Sequence, residues 1–360
     1  MDNMKGYTRA LDTLKFRATD CTATWGGWIV NPSFFEHVTG KQFWSAPRAI
    51  AMEAYRRLQV DIVLQSLYLP ADPSEWRAHT TETLEGHARF GTPESVVEYI
   101  GQLPPVANLR ESFDLEQEML VLEQDYLALQ EELGPDIFCL PRFFATRFTR
   151  YTDFGYESYL SALALYPDSI QRLFEHDAEQ ARQKNAALAQ LVRQGKMEPF
   201  FLTGSDICGT RGPMVSPEML RRLYFPSLRR SIEPLVAVSA DLIWHSDGYI
   251  LPIIDDLISC GITGFQGFQE DTGFDIRDIA TKQTHKGRRP ILLAGLSITT
   301  VLPQGSVQET QREVERIIDS VGAAGGLAIG TANTAGPDCR PENLVALYRH
   351  THAYRPTHAA

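Results

Sequence analysis

The feature that most constrains this chain is a succession of short, unbroken apolar runs separated by longer segments of helical character. Runs of about 4–8 apolar residues without polar alternation read as strands covered on both faces, as parallel strands are. Eight such runs occur, at 23–30 (ATWGGWIV), 60–67, 136–140, 199–204, 240–245 (ADLIWH), 262–268, 290–296 and 325–331. Helical patterns lie at 113–133, 168–194, 217–235, 250–260, 308–322 and 341–351. Ser216 followed by Pro217 predicts an N-cap and first helical residue, and Asp168 after Pro167 predicts a second cap. From residue 199 onward, strand and helix alternate. The expected fold is α/β, a (β/α)8 TIM barrel formed by residues 1–360 as one unit, with a helical insertion at about 70–135. A doubly wound open sheet is the rival, and the absence of a GxGxxG after the first strand weighs against it.

Composition removes several function classes. A net charge of −11 without any Lys/Arg block offers no footprint for nucleic acid. No stretch reaches about 18 uninterrupted apolar residues, and the opening MDNMKGYTRALDTLKFRATD has no apolar core, so no membrane partner and a cytoplasmic location are expected. Five scattered cysteines (Cys21, Cys139, Cys208, Cys260, Cys339) include no CxxC pair and read as reduced thiols.

In a barrel, chemistry gathers at the C-terminal ends of strands. That rule selects Asp206, Cys208 and Arg211 after the fourth run, His245 and Asp247 after the fifth, Gln269 after the sixth and Asn333 after the eighth, with Cys339 beyond it. Side chains at 245 and 247 share a side if the strand persists, which makes His245 and Asp247 half of a divalent-metal site. The bland alternative is that His245 donates to a carbonyl while Asp247 caps the helix near 250. Cys208 and Cys339 are either thiolate ligands or small buried hydrophobes. GSDICGTRGPM either seats an anion through its backbone and Arg211 or leads as a turn into the helix at 217. Trp25, Trp28, Phe34, Phe35 and Phe43 either wall a binding cavity or fill core.

Several segments then align in order. GSDICGTRGPMVSPEMLRRLYFP, WHSDGYILPIIDDLISCGITGFQGFQEDTGFDI, ILLAGLS and GGLAIGTANTAGPDCRPENLVALYRH resemble the uroporphyrinogen decarboxylase superfamily, with 155–176 and 9–20 fitting more loosely. The resemblance implies one distorted (β/α)8 barrel with a deep cavity at the strand ends. It also implies one of two chemistries. The decarboxylases proper carry an arginine-rich RQAGRY-like segment after the first strand, where this chain reads WGGWIVNPSFF without an arginine. The other branch comprises cobalamin-dependent methyltransferases, whose thiol-activating members show an H-x-C pair and a distant cysteine as zinc ligands. Here His245 matches the histidine and Asp247 stands in place of the cysteine, while the distant position falls near Asn333 with Cys339 further along.

The resemblance thus implies a methyltransferase of a demethylation system, moving a methyl group from a small O- or N-methylated donor to the cobalt of a corrinoid. No DxHxxG motif is present, so the corrinoid is expected on a separate protein. Zn2+ at His245 and Asp247, with Cys208 or Cys339 as further ligands, would polarise the donor, and Asp206 and Gln269 would orient it. Arg211, Trp25, Trp28 and Asn333 are the expected substrate contacts. Two other readings stay open: a metal-free decarboxylase or lyase acting on a non-porphyrin carboxylic acid, and a non-catalytic barrel that binds a corrinoid protein. A homodimer is compatible with each.

Overall fold

The structure, a computed structural model, describes residues 4–67, 69, 72–74, 90–268 and 270–356. Eight parallel strands run in ring order: β1 (Ala23–Gly26), β2 (Ile62–Leu64), β3 (Phe138–Leu140), β4 (Phe200–Gly204), β5 (Asp241–His245), β6 (Gly264–Gln266), β7 (Ile291–Leu296) and β8 (Leu327–Thr331). β1 pairs with β8 on one side and β2 on the other. The ring closes between β3 and β4, where Leu202 N–H donates to Pro141 O at 2.9 Å and Arg142 bridges to Leu202. This is the (β/α)8 barrel that the run pattern predicts, and each of the eight predicted runs contains one strand.

Two apolar shells follow from the two-residue period of each strand. Trp25, Leu64, Leu140, Leu202, Ile243 and Leu293 point into the ring and fill it. The alternate positions, such as Leu242, Trp244, Phe265 and Ile329, pack outward against the helices. Among the described residues no helix is long and apolar enough to cross a membrane.

Helices Pro93–Gly101, Val106–Ser112 and Leu115–Leu133 occupy the connection from β2 to β3, within the predicted insertion, although 70–71 and 75–89 lie outside the described residues. Ser216 caps as expected, its hydroxyl accepting from Met219 N–H at 3.2 Å. Two expectations are corrected. Asp168 is not a cap: Tyr166 takes that position and Pro167 is the first helical residue, so Asp168 sits in the first turn near the positive helix end. The helix predicted at 217–235 is also not uniform, because Leu220–Tyr224 is a wider π turn ahead of Phe225–Val236. Pro226 has no N–H to donate to the preceding turn, and the widened turn accommodates its ring.

Glu179 ties these layers together. Its side chain is fully buried on the helix Pro167–Arg193, and it accepts from Arg182 at 2.6 Å, from Arg230 of Phe225–Val236 at 2.9 Å and from Arg110 of Val106–Ser112 at 3.1 Å. Burial alone would raise this carboxyl, but hydrogen bonds from Arg182 and Arg110 outweigh it and bring the pKa down to about 2. A folded pKa below the unfolded one gives stability that is present above the unfolded value and is lost as pH falls through the folded one. Glu179→Gln is therefore expected to lower stability by about 2–4 kcal/mol at neutral pH. The deficit should shrink as pH falls from about 4.5 toward 2. Denaturant titrations across that range measure it, and equal stability at pH 7 would refute the tether.

Candidate active site

The site is built where β4 and β5 end side by side. Gly204 pairs with His245, and a Cβ on residue 204 would lie 2.0 Å from the His245 carbonyl oxygen, so glycine is what permits the approach. Because Ile243 faces the ring interior, the strand period also turns the His245 imidazole inward. Beyond the strand the chain leaves the ladder, and Asp247 N–H donates to Asp206 Oδ1 at 3.0 Å. Gly248 (φ +81°) then presses on a small two-stranded ribbon, Cys208–Gly209 with Gly212–Pro213, where a Cβ would meet Gly209 O at 2.5 Å. The HSDG stretch therefore ends in glycine for reasons of space as well as turn geometry.

Three ligand-bearing side chains converge here. His245 Nε2 is 3.4 Å from Asp247 Oδ1 and 3.6 Å from Asp206 Oδ1, and one ligand atom from each residue falls within 4.8 Å of the others. Asn333, from the loop after β8, donates to Asp247 Oδ2 at 2.7 Å and fixes the carboxylate. Asp247 Oδ1 is then buried without a hydrogen-bond partner, as is His245 Nδ1. Trp28 stands edge-on to the imidazole with ring centres 4.6 Å apart, and its indole N–H donates to Ser66 O at 3.0 Å. Burial above all raises the Asp247 carboxyl; His245 pulls it back, and the Asp206 charge pushes it up further. His245, Asp206 and Trp28 face a cavity of about 240 Å3 at the C-terminal end of the ring, walled also by Ser66, Arg142 and Thr149, while Asp247 and Asn333 lie outside its lining.

The structure brings together His245, Asp247, Asp206, Asn333 and Trp28, and it separates the other candidates. Asp247 caps no helix, since the turn Leu251–Ile253 has no side-chain cap. Trp25 fills the ring, fully buried, with its indole N–H on Ala294 O at 2.8 Å, so it is interior filling and not a cavity wall. Phe34, Phe35 and Phe43 pack in the outer shell. Arg211 is exposed in the ribbon turn, outside the cavity lining. Cys208 and Cys339 are buried free thiols outside the three-residue group, and burial pushes both thiols up to about 12, away from the thiolate a metal needs. Gln269 lies outside the described residues.

Three residues were not singled out by the sequence. Arg142 follows β3, where the strand-end rule would have found it. Tyr151 lies near the carboxylates, and burial, then the Asp206 charge, raise its phenol so that it stays a donor. Gln266 pairs with His245 in register and is 2% exposed, with neither amide atom bonded.

No protein-family model matches the chain, and no curated protein matches its sequence. Among solved structures, a methyltransferase from Methanosarcina mazei is similar: 17% identity, a TM-score of 0.62, and coverage of 98% of this chain and 99% of that one. The likeness is one of fold.

A half-buried carboxylate with one buried oxygen that accepts no hydrogen bond, beside a second carboxylate, costs stability. Asp247→Asn keeps an acceptor for Asn333 and removes that charge. In chelator-treated protein it should raise stability by about 1 kcal/mol, read as a higher melting temperature; a lower one would contradict the strained site.

Proposed function

We propose that this chain is a methyltransferase that moves a methyl group from a small O- or N-methylated donor to a corrinoid carried by a separate protein, using a divalent cation, zinc first, held by Asp206, His245 and Asp247. The observation that carries the reading is the inward-facing His–Asp–Asp group at the open end of the ring, bordering a cavity of about 240 Å3. The whole-chain likeness in fold to a methyltransferase supports it.

The donor set passes a simple test of fit. Zinc ligands about 2.1 Å from the metal at tetrahedral angles stand about 3.4 Å apart. His245 Nε2 lies 3.4 and 3.6 Å from the two carboxylate oxygens. Three protein ligands leave one position for substrate, and the unpartnered Asp247 Oδ1 supplies a reason for a cation. A nitrogen and two oxygens form a harder set than thiolates, which favours an oxygen or nitrogen donor over thiol activation. Cys208 and Cys339 play no part.

When bound, such a cation would draw electron density from the donor heteroatom, which keeps the bonding pair as the methyl group departs. The remaining work belongs to the chain. Asn333 holds the Asp247 carboxylate in one rotamer, and Asp206 is held by the Asp247 backbone N–H. Trp28 covers the imidazole edge and keeps water from it. Outer groups of this kind hold ligands in the geometry that binding requires.

Two measurements test the reading. Co2+ titration, followed by visible absorption, should saturate near one ion per chain, with Asn333→Ala about 10-fold weaker and His245→Ala abolishing it. With a reduced corrinoid and a panel of O- and N-methyl compounds, methylation of the corrinoid should fall by at least about 100-fold in His245→Ala. Wild-type protein that binds no metal would remove the Lewis-acid role. Release of CO2 from a carboxylic acid without corrinoid would turn the reading to a lyase.

A further inference from the structure

The cavity has two chemically opposed walls. One is acidic, formed by Asp206 beside His245, with Asp247 in contact with His245 outside the lining. The other carries Arg142, and its direction is set by the ring: Leu140 points inward, and Arg142 bridges to Leu202, also inward. The period of two therefore sends the Arg142 side chain into the mouth, where it lines the cavity. Its backbone N–H is held by Gln65 Oε1 at 2.9 Å, and its guanidinium lies 5.2 Å from the centre of the Phe144 ring. Phe144 is itself clamped, its N–H donating to Asn185 Oδ1 at 2.9 Å and its carbonyl accepting from Asn185 Nδ2 at 2.7 Å. Asn185 is fully buried.

The cation, on an exposed residue, thus lies beside a ring that Lys184 Nζ also approaches, at 5.0 Å from its centre. Among the described residues the Arg142 guanidinium makes no ion pair, although Asp206 lines the same cavity. Ser66 and Thr149 line the cavity with them. Stacking on a ring leaves the N–H edge of a guanidinium available, and that edge matches a carboxylate in a two-point fork.

We propose that Arg142 anchors a carboxylate, so that the methyl donor is a small two-ended molecule with a carboxylate at Arg142 and its methylated oxygen or nitrogen toward His245 and Asp206. The identity of the far end rests on the methyl-transfer reading; the carboxylate anchor does not. Neutral methyl donors would occupy the same cavity without the fork and bind less well.

Calorimetric titration of the full chain, without corrinoid, separates the two parts. The probes are para-methoxybenzoate, methoxyacetate and N,N-dimethylglycine, each against its primary amide. At least one acid should bind with Kd of about 1 mM or tighter, and its amide about 10-fold or more weakly. Arg142→Gln should weaken the acid by about 10- to 100-fold and leave the amide unchanged, while Arg142→Lys restores part of the loss. Melting temperatures equal to wild type confirm that the variants fold. Equal affinity for acid and amide, an unchanged Arg142→Gln, or no binding by any acid overturns the anchor. Acid binding through Arg142 without any methyl transfer leaves the anchor standing and removes the methyl-transfer reading. Turnover confined to neutral donors does the reverse.

Discussion

A closed ring of parallel strands has a single interior, and each strand commits every second residue to it. The bridge of Arg142 to Leu202 completes that interior, and the functional architecture depends on it. With the ring shut, large apolar side chains such as Trp25, Leu140 and Leu293 exclude water from its middle. The same parity, continued beyond the apolar filling, delivers Arg142, His245 and Gln266 to the mouth. An open sheet of the same strands would leave β3 and β4 as edges, and nothing would oblige Arg142 and Asp206 to face one cavity.

The mouth concentrates an energetic burden. Asp247 Oδ1, His245 Nδ1 and both amide atoms of Gln266 are buried without hydrogen-bond partners around the ends of two paired strands. Each such atom costs on the order of 1–3 kcal/mol. At the opposite end of the barrel, by contrast, the fully buried Asp61 is satisfied by Arg9 at 2.5 Å, His352 at 2.9 Å and Thr24 N–H at 2.8 Å. The polar groups around Asp61 are used up in holding the structure. Those at the open end are retained at a cost, which is the pattern of groups kept for a ligand.

The sequence made the ring legible because unbroken apolar runs have few other solutions, and it made His245 and Asp247 legible because they follow such a run. It could not decide between Trp25 and Trp28. Both lie on one short segment, and only the left-handed turn at Trp28 (φ +51°) separates the residue that fills the ring from the one that walls the cavity. Asn333 was visible as a strand-end residue, but its bond to Asp247 joins positions 86 residues apart and leaves no local trace. Asp168 misled because a proline just before it took the first helical position. Cys208 and Cys339 were candidates by thiol type and by their place after a strand; their burial depends on packing that no spacing encodes.

Trp28 has one further consequence. Its left-handed backbone is costly for a bulky side chain, and the cost is sustained by bonds from two directions. Its indole reaches Ser66 after β2, and its carbonyl accepts from Ala335 N–H after β8 at 2.9 Å. The segments that follow β1, β2 and β8 are thereby lashed into one arc of the rim, and the segment after β3 joins it through Arg142 N–H on Gln65 Oε1 while its next residues are moored to Asn185 in the outer helices. Trp28 and Arg142, which both line the cavity, are therefore held by the adjacent residues Ser66 and Gln65, so that the two side chains share one anchor above the strands.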